Sequence, residues 1–155
     1  MTNILLRLFA EDLEGFEPDI RMLEKPIRIL GMTMDTDMSR IYRDVPILGK
    51  HFNEETGAFS YTLGDVVTNV AHVPDGLTAF EIPAGRYAVF PVRPKNRFGW
   101  GLAIANVKRY AYEVWLPQSG YEAAGVIDDF EYHDDRSLRK HRPEIDLYVA
   151  IKKKQ

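Results

Sequence analysis

The pattern of hydrophobic and polar residues predicts a fold organised around one strand and the corner that leads into it. The run Arg86–Val92 alternates only partly, which predicts a central strand covered on both faces. Phe80 and Ile82 belong to the preceding strand. Pro83-Ala84-Gly85 is the tight corner between the two strands, because proline fixes φ and glycine accepts positive φ.

Further strands are predicted in the first half of the chain. Residues 19–34 read as extended, with an interruption at Pro26, where a proline indicates a kink, a bulge or an edge position. Residues 59–70 read as another strand, in which we expect Gly64 to form a β-bulge. Residues 77–82 lead into the corner.

A short helix is predicted between those strands. Asp44 has the features of an N-cap, and Pro46 stands near the first turn. The helix would bury Val45, Leu48 and Phe52 and end near Glu55-Thr-Gly57.

The longest helix is predicted in the second half, from about Phe98 to Trp115, and Pro117 ends it. Lys108 and Arg109 are expected to point away from the sheet. The stripe expected to face the sheet consists of Trp100, Ile104, Val107, Ala111 and Val114. A connection follows at residues 118–126, and a strand is predicted at residues 127–133. A polar loop at residues 134–143 then leads to a final strand at residues 145–151.

Each half therefore follows the order strand, helix, strand, strand, and the halves divide near Ala84-Gly85. This predicts an α+β fold of duplicated βαββ units, about residues 18–84 and 85–152, that form a curved antiparallel sheet with a helix packed in each half. A cleft between the halves is the natural place for a small ligand. Residues 18–155 are expected to form a single domain.

An extension, residues 1–17, precedes this domain. Leu5, Leu6 and Phe9 lie at helical spacing within Ile4–Phe16, so an amphipathic helix is predicted there. Docking on its own domain is the favoured interpretation. A homodimer contact or a lid is the alternative.

Composition narrows the class of function. The 155 residues carry a net charge of -3, and the only basic run is Lys152-Lys153-Lys154, so no nucleic-acid binding is expected. The chain has no cysteine, which excludes disulfides and thiol catalysis and fits a reducing compartment. No apolar run is long enough to span a membrane, and the amino terminus lacks signal-peptide features. A cytoplasmic protein is expected.

Four segments, in order, resemble the gyrase-inhibitor-like (GyrI-like) effector-binding domains. Ile82–Phe90 is similar to the signature strand of that family, and Trp115–Tyr121 is similar to the end of its helix. Phe130-Glu-Tyr132 looks like its acidic motif, and Glu144–Ile151 like its last strand. The order and spacing agree over about residues 18–152.

The resemblance implies a duplicated βαββ fold and a small-molecule-binding role. Such domains form the ligand-sensing half of many AraC-type and MerR-type transcription regulators, and they also occur alone. No helix-turn-helix segment flanks the motifs here, so a stand-alone member is expected, one that could report to a separate DNA-binding partner. In the family, the acidic residue of the motif pairs with cationic ligands, and the resemblance gives that role to Glu131.

The residues around Glu131 suit the same chemistry. If Phe130 and Tyr132 face one side of a strand, Glu131 faces the other. A carboxylate in a cleft requires a cation or a donor, and aromatic faces attract cations, so lipophilic, aromatic cations are the expected ligands. The aromatic walls are expected from Trp115, Tyr112, Tyr87 and Tyr61.

Each of these residues also has a purely structural interpretation. Glu131 could be a surface strand residue paired with an arginine, and Trp115 and Tyr112 could be ordinary core residues. His133, Asp134, Asp135 and His141 are metal-ligand types without a recognised spacing, so neither a metal nor a cofactor is expected.

Two alternatives to a non-catalytic binding module stay open. In the first, the protein is a hydrolase of strained electrophilic small molecules, because some members of the superfamily resemble such hydrolases. Glu131 would then be the general base, with Tyr112 or Tyr61 as proton donor. In the second, suggested by the family name, the acidic pairs Asp128-Asp129 and Asp134-Asp135 help to bind and inhibit a topoisomerase. We favour the binding module, without catalysis.

Overall fold

The computed structural model describes residues 12–37, 48–52, 58–69, 71–96 and 98–155. Strands of the first half are β1 (Asp19–Leu23), β2 (Ile27–Asp37), β3 (Leu48–Phe52), β4 (Ala58–Val66) and β5 (Thr78–Ile82). Strands of the second half are β6 (Gly85–Val92), β7 (Tyr121–Ala123), β8 (Asp129–Tyr132) and β9 (Ile145–Lys153). The helical segments are α1 (Trp100–Arg109), a π-helical segment (Tyr110–Trp115), α2 (Leu116–Gln118) and a 3-10 turn (Asp135–Leu138).

The strands form two antiparallel sheets rather than the single curved sheet that the sequence predicts. In the first sheet the order is β1-β6-β9, and both β7 and β8 pair with the other edge of β9. The second sheet has the order β3-β4-β2-β5. The α+β class is confirmed, whereas the duplication of a βαββ unit is not confirmed by the described residues.

β6 is the central strand that its partial alternation predicts. It pairs with β1 on one side and with β9 on the other. Ala88, Phe90 and Val92 are completely buried. The corner before β6 carries the chain from one sheet to the other, and Gly85 takes a φ of 151°, which a residue with a Cβ rarely adopts.

Two hydrophobic cores lie on opposite faces of the first sheet. On the helix side, Phe90 packs edge-on against Trp115 and Tyr110, with ring centroids 5.6 and 6.4 Å apart. On the other side, Ile29 and Ile82 of the second sheet belong to a core that also contains Tyr87, Phe130 and Ala150 of the first sheet and Ile127 from the connection before β8. The orientation of a side chain on the first sheet therefore decides which core it joins.

The helix predicted from Asp44 to near Glu55-Thr-Gly57 is wrong over its described part. Leu48–Phe52 form β3, which pairs with β4, while residues 38–47 and 53–57 lie outside the described residues. Leu48 and Phe52 are four positions apart, a spacing that fits one face of a strand as well as one face of a helix. The pairing with β4 decides between the two.

The β-bulge also lies elsewhere than predicted. Gly64 pairs with Gly31 of β2 in regular register, and the register instead shifts between Leu48 and Lys50, next to β4. Gly31 and Gly64 are required by close approach: a Cβ on Gly31 would overlap the carbonyl oxygen of Leu63 and lie 2.5 Å from the Gly64 Cα.

Replacing Gly31 by alanine should therefore destabilise the second sheet. Because the overlap is with backbone atoms, the cost is expected at the upper end of overpacking penalties, about 3 kcal/mol. Urea unfolding of the variant measures it. Gly120→Ala is the matched control, since nothing lies within 4 Å of a Cβ there. Equal unfolding midpoints for both variants would contradict the close approach of β2 and β4.

The structure differs from two other predictions, the N-terminal helix and the connection that follows the long helix. Residues 1–11 of the predicted N-terminal helix lie outside the described residues, and its predicted end is a turn in which the Phe16 N–H donates to the Leu13 carbonyl (2.9 Å). The connection after the long helix contains the short strand β7. β7 pairs with β9, about thirty residues later in the chain, so no local pattern of residues indicates it.

Candidate ligand-binding site

β8 places two carboxylates beneath the helix. Asp129 and Glu131 alternate with Phe130, so they point to the opposite face of the sheet. Glu131 stands opposite Leu147 of the helix-side core, and Phe130 belongs to the core between the sheets. Asp129 and Glu131 are 2% and 1% exposed. The interpretation of Glu131 as a surface residue paired with an arginine is therefore wrong.

Lys108 on α1 is the cation that faces both carboxylates. Its Nζ lies 2.9 Å from Asp129 Oδ1 and 3.5 Å from Glu131 Oε1. Burial alone would lower the pKa of Lys108, but the two carboxylates outweigh it and raise the pKa above its ordinary value. The prediction that Lys108 points away from the sheet is wrong, because its long side chain reaches the neighbouring strand β8.

Tyr112 and His133 complete the polar cluster. The Tyr112 hydroxyl donates to Asp129 Oδ2 at 2.8 Å. Burial, followed by the charge of Asp129, raises the pKa of Tyr112, so its hydroxyl stays protonated. His133 Nε2 lies 3.4 Å from Glu131 Oε2, and its side chain is one-third exposed. We call Lys108, Tyr112, Asp129, Glu131 and His133 the acidic cluster.

The acidic cluster is not internally balanced. Two buried carboxylates face one ammonium group. Lys108 contacts both Asp129 Oδ1 and Glu131 Oε1, at 2.9 and 3.5 Å. Two buried carboxylates beside one ammonium are costly, so a further cation or donor at the cluster would be stabilised.

Trp115, a predicted wall residue, makes its contacts elsewhere. Its ring packs edge-on against Phe90 and stacks on Tyr121 with centroids 6.1 Å apart. Its indole N–H donates to Glu17 Oε2 at 3.1 Å. Trp115 also borders an open groove of about 550 Å³, which it shares with Glu14 among others. The structure does not bring it to the acidic cluster.

Tyr87 is not brought to the acidic cluster either. Tyr87 lies on the opposite face of the sheet, where its ring meets Phe130 edge-on at 5.5 Å and its hydroxyl donates to the Pro83 carbonyl. Burial raises the pKa of Tyr87 to about 12. Tyr61 is in β4 opposite Met34, and the side chain of Tyr61 lies outside what the structure describes.

An aromatic stack occupies the other face of β8. Phe130 and Tyr148 are parallel, with ring centroids 4.6 Å apart. The Arg21 guanidinium sits 5.8 Å from the centre of the Tyr148 ring and donates to its hydroxyl. The contact with Arg21 shows that the Tyr148 ring of this stack has the geometry of a cation–π contact.

The π-helical segment determines which way the aromatic residues point. Its wider turn directs the Tyr110 hydroxyl to the Phe16 carbonyl and the Trp115 indole to Glu17, whereas Tyr112 points to Asp129. π-helical turns inside α-helices are frequent at functional sites. A regular 3.6-residue repeat, which was the basis of the predicted stripe, does not account for these directions.

Sequence reasoning did not assign three members of the cluster to the site. The alternation Asp129-Phe-Glu-Tyr-His133 could have shown that Asp129 and His133 share a strand face with Glu131. Lys108 has no comparable signal, because a lysine on an amphipathic helix usually faces water.

Two further features of the described residues bear on function. No group of His, Asp and Glu side chains among them is arranged to hold a metal ion. Within the same part of the chain, no helix is long and apolar enough to cross a membrane.

Comparison with known sequences gives one family and one regulator. The sequence model of the integron-associated effector-binding proteins matches residues 21–151. The transcriptional regulator BrlR of Pseudomonas aeruginosa is 35% identical over 123 residues, which are 72% of this chain and 43% of the regulator. The chain therefore spans less than half the length of that relative.

Comparison with solved structures shows the same fold at low identity. The protein SAV2435, solved bound to tetraphenylphosphonium, has a TM-score of 0.63 and 15% identity, covering 88% of this chain and 94% of its own. A bacterial transcription regulation protein from Staphylococcus aureus has a TM-score of 0.61 and 13% identity, covering 89% and 99%. An integron cassette protein from the mobile metagenome of Vibrio cholerae has a TM-score of 0.55 and 13% identity, covering 88% and 97%.

Proposed function

Because the chain belongs to the integron-associated effector-binding proteins, of the GyrI-like superfamily, we propose that it binds small molecules and that its ligands are lipophilic cations. The family resemblance of the sequence motifs is thereby confirmed. The nature of the ligand is the part that we propose.

The observation that carries the proposal is the excess negative charge of the acidic cluster. Asp129 and Glu131 are almost fully buried and share the single ammonium of Lys108. A buried carboxylate without a full counter-charge is costly, so a cation near the cluster would be stabilised by it. Glu131 lies farther from Lys108 than Asp129 does, and its second oxygen faces His133, which is partly exposed, rather than the Tyr112 hydroxyl.

The aromatic ring of Tyr112 beside the cluster favours an apolar cation over a hydrated metal ion. The Tyr112 hydroxyl donates to Asp129, which holds the ring next to the carboxylates. Lys108, Tyr112 and His133 are the partly exposed members of the cluster, and the side chains of Lys108 and His133 are 14% and 33% exposed. A ligand would approach Glu131 from their side.

The relatives support the class of ligand and its use. SAV2435 was solved with tetraphenylphosphonium, an aromatic monocation, and this makes the same ion a suitable probe here. BrlR is a transcriptional regulator, and its similarity supports a role in which ligand binding is reported to a DNA-binding partner or domain.

Geometry does not favour the hydrolase alternative. It requires Glu131 as a general base and Tyr112 or Tyr61 as the acid. Glu131 faces an ammonium and His133, and the Tyr112 hydroxyl donates to Asp129 instead. The described residues thus use these groups for mutual charge compensation.

Thermal unfolding with matched ligands tests the proposal. Tetraphenylphosphonium at 100 times its dissociation constant should add about 2.7 kcal/mol to the stability. For a domain of this size, that raises Tm by roughly 5–10 °C. Triphenylphosphine oxide, which has similar rings and no net charge, should raise Tm much less. Equal shifts with both compounds, or none with either, would contradict binding of lipophilic cations.

A further inference from the structure

We infer that Lys108 sets the charge of the ligand: by cancelling one of the two buried carboxylates, it makes the site prefer monocations to dications. This inference rests on the proposed function, since it assumes that a cation binds at the acidic cluster. It adds a specificity-determining residue that lies on the helix, outside the acidic motif.

The first step is the charge of the cluster. Asp129 and Glu131 contribute two negative charges and Lys108 one positive charge, which leaves a net charge of about -1. Tyr112 is neutral, because its raised pKa keeps the hydroxyl protonated. His133 is the remaining ionisable member, and the two ligands are compared at one pH so that its state is the same for both.

The second step compares attraction with desolvation. Attraction between a ligand and the cluster grows in proportion to the ligand's charge, whereas the cost of taking the ligand from water grows with the square of that charge. A monocation beside a net charge of -1 gives a neutral site. Removing a dication from water costs far more free energy, and its second positive charge has no counter-charge in the site.

The third step is the position of Lys108. Its ammonium is within 3.5 Å of both carboxylates and its side chain is mostly buried, so its charge is poorly screened by water. The negative charge of Asp128 also acts on Tyr112, but Asp128 is only partly buried. Removing Lys108 would change the local charge from -1 to -2 without changing the ligand-facing side chain of Glu131.

The test compares two ions on one ring system: the monobenzylated and the dibenzylated bipyridinium, with one and two charges. Their affinities are measured at pH 8 by calorimetry for the natural protein and for Lys108→Met. The natural protein should bind the monocation more tightly. In Lys108→Met, the ratio of the two affinities should shift about tenfold or more toward the dication. An unchanged ratio would overturn the inference.

A charge-balanced variant separates this role from a structural one. Lys108→Met combined with Asp129→Asn restores a net charge of -1, so the preference for the monocation should return. A merely structural role predicts that the double variant binds both ions as poorly as the single variant. Asp129→Asn alone keeps Lys108, brings the net charge to zero, and should weaken monocation binding about tenfold. If Lys108→Met does not fold, Asp129→Asn carries the test: because attraction is proportional to the charge of the ligand, bringing the cluster to zero should weaken the dication more than the monocation, and an unchanged ratio would overturn the inference.

Failure of the inference is distinguishable from failure of the proposed function. If neither ion binds the natural protein, and tetraphenylphosphonium does not bind either, the proposed function is wrong. If cations bind, but the ratio of the two affinities does not change with the net charge of the cluster in the three variants, only the role of Lys108 is wrong.

Discussion

Replacing Lys108 by methionine is expected to lower the free energy of unfolding by about 3–5 kcal/mol at pH 7, the usual cost of removing one partner from a buried ion pair. The methionine keeps the apolar stem of the side chain and removes the charge. Asp129 and Glu131 would then face each other in the interior without a cation. Since small domains are stable by about 5–15 kcal/mol, the variant is expected to fold, with a clearly reduced urea midpoint.

The loss of stability should depend on pH in a direction that identifies its cause. At pH 8 the folded variant holds two buried carboxylates that repel each other without a cation between them. Protons taken up as the pH falls relieve that repulsion, so the stability of the variant should rise between pH 8 and pH 5. In the natural protein the raised pKa of Lys108 acts at the other end: its stabilisation is present below about pH 10 and is lost as the pH rises above this.

Lys152→Met is the matched control for this experiment. Lys152 pairs with Glu122 at 3.5 Å, and both side chains are about half exposed. Exposed pairs contribute about 0–1 kcal/mol, so the control should unfold close to the natural protein at every pH. A Lys108→Met variant that matched this control would show that the ammonium is not the counter-charge of a buried acidic pair.

The sequence could not predict Lys108 because its placement depends on long-range packing. A lysine one position after Val107 lies beside the apolar stripe, and the usual preference of lysine for water places it outward. The polar partner comes from β8, more than twenty residues later in the chain. Only the pairing of β8 with the edge of β9 brings the carboxylates under the helix.

Local signals were sufficient where one short segment determines the outcome. The partly alternating run of β6 predicted a central strand, and Pro83-Ala84-Gly85 predicted the corner, because both depend on backbone preferences of consecutive residues. Alternation along β8 likewise predicted that Glu131 and Phe130 face opposite sides. The motifs of the second half were sufficient to identify the family.

Signals were insufficient where partners from distant segments compete. Leu48 and Phe52 fit a helix and a strand equally, and the division of the strands into two sheets is decided by pairing that no local pattern contains. The walls of the predicted site separated for the same reason. Tyr112 and Trp115 are three residues apart, yet the π-helical segment directs one to β8 and the other to Glu17.

Replacing Glu131 by glutamine is expected to remove most of the affinity for lipophilic cations. Glutamine has nearly the same shape, and Asp129 remains to neutralise Lys108, so the variant should stay folded. The net charge of the cluster becomes zero, and a cation gains no electrostatic stabilisation from it. Loss of a buried charge partner should weaken tetraphenylphosphonium binding about 10–100-fold.

Glu122→Gln is the matched control for that substitution. It removes a glutamate from a strand of the same sheet, but the side chain is about half exposed and pairs with Lys152. Its long-range effect on a bound cation is screened by salt, so the affinity should not change. Binding of triphenylphosphine oxide should be the same in all three proteins, because a neutral compound does not respond to the carboxylate.

Isothermal titration of tetraphenylphosphonium into the natural protein, Glu131→Gln and Glu122→Gln is the measurement to make first. We expect binding to the natural protein and to Glu122→Gln with one affinity, and a dissociation constant about 10–100 times higher for Glu131→Gln. Equal affinity for all three proteins would place the cation away from the acidic cluster and contradict the role of Glu131 as its counter-charge.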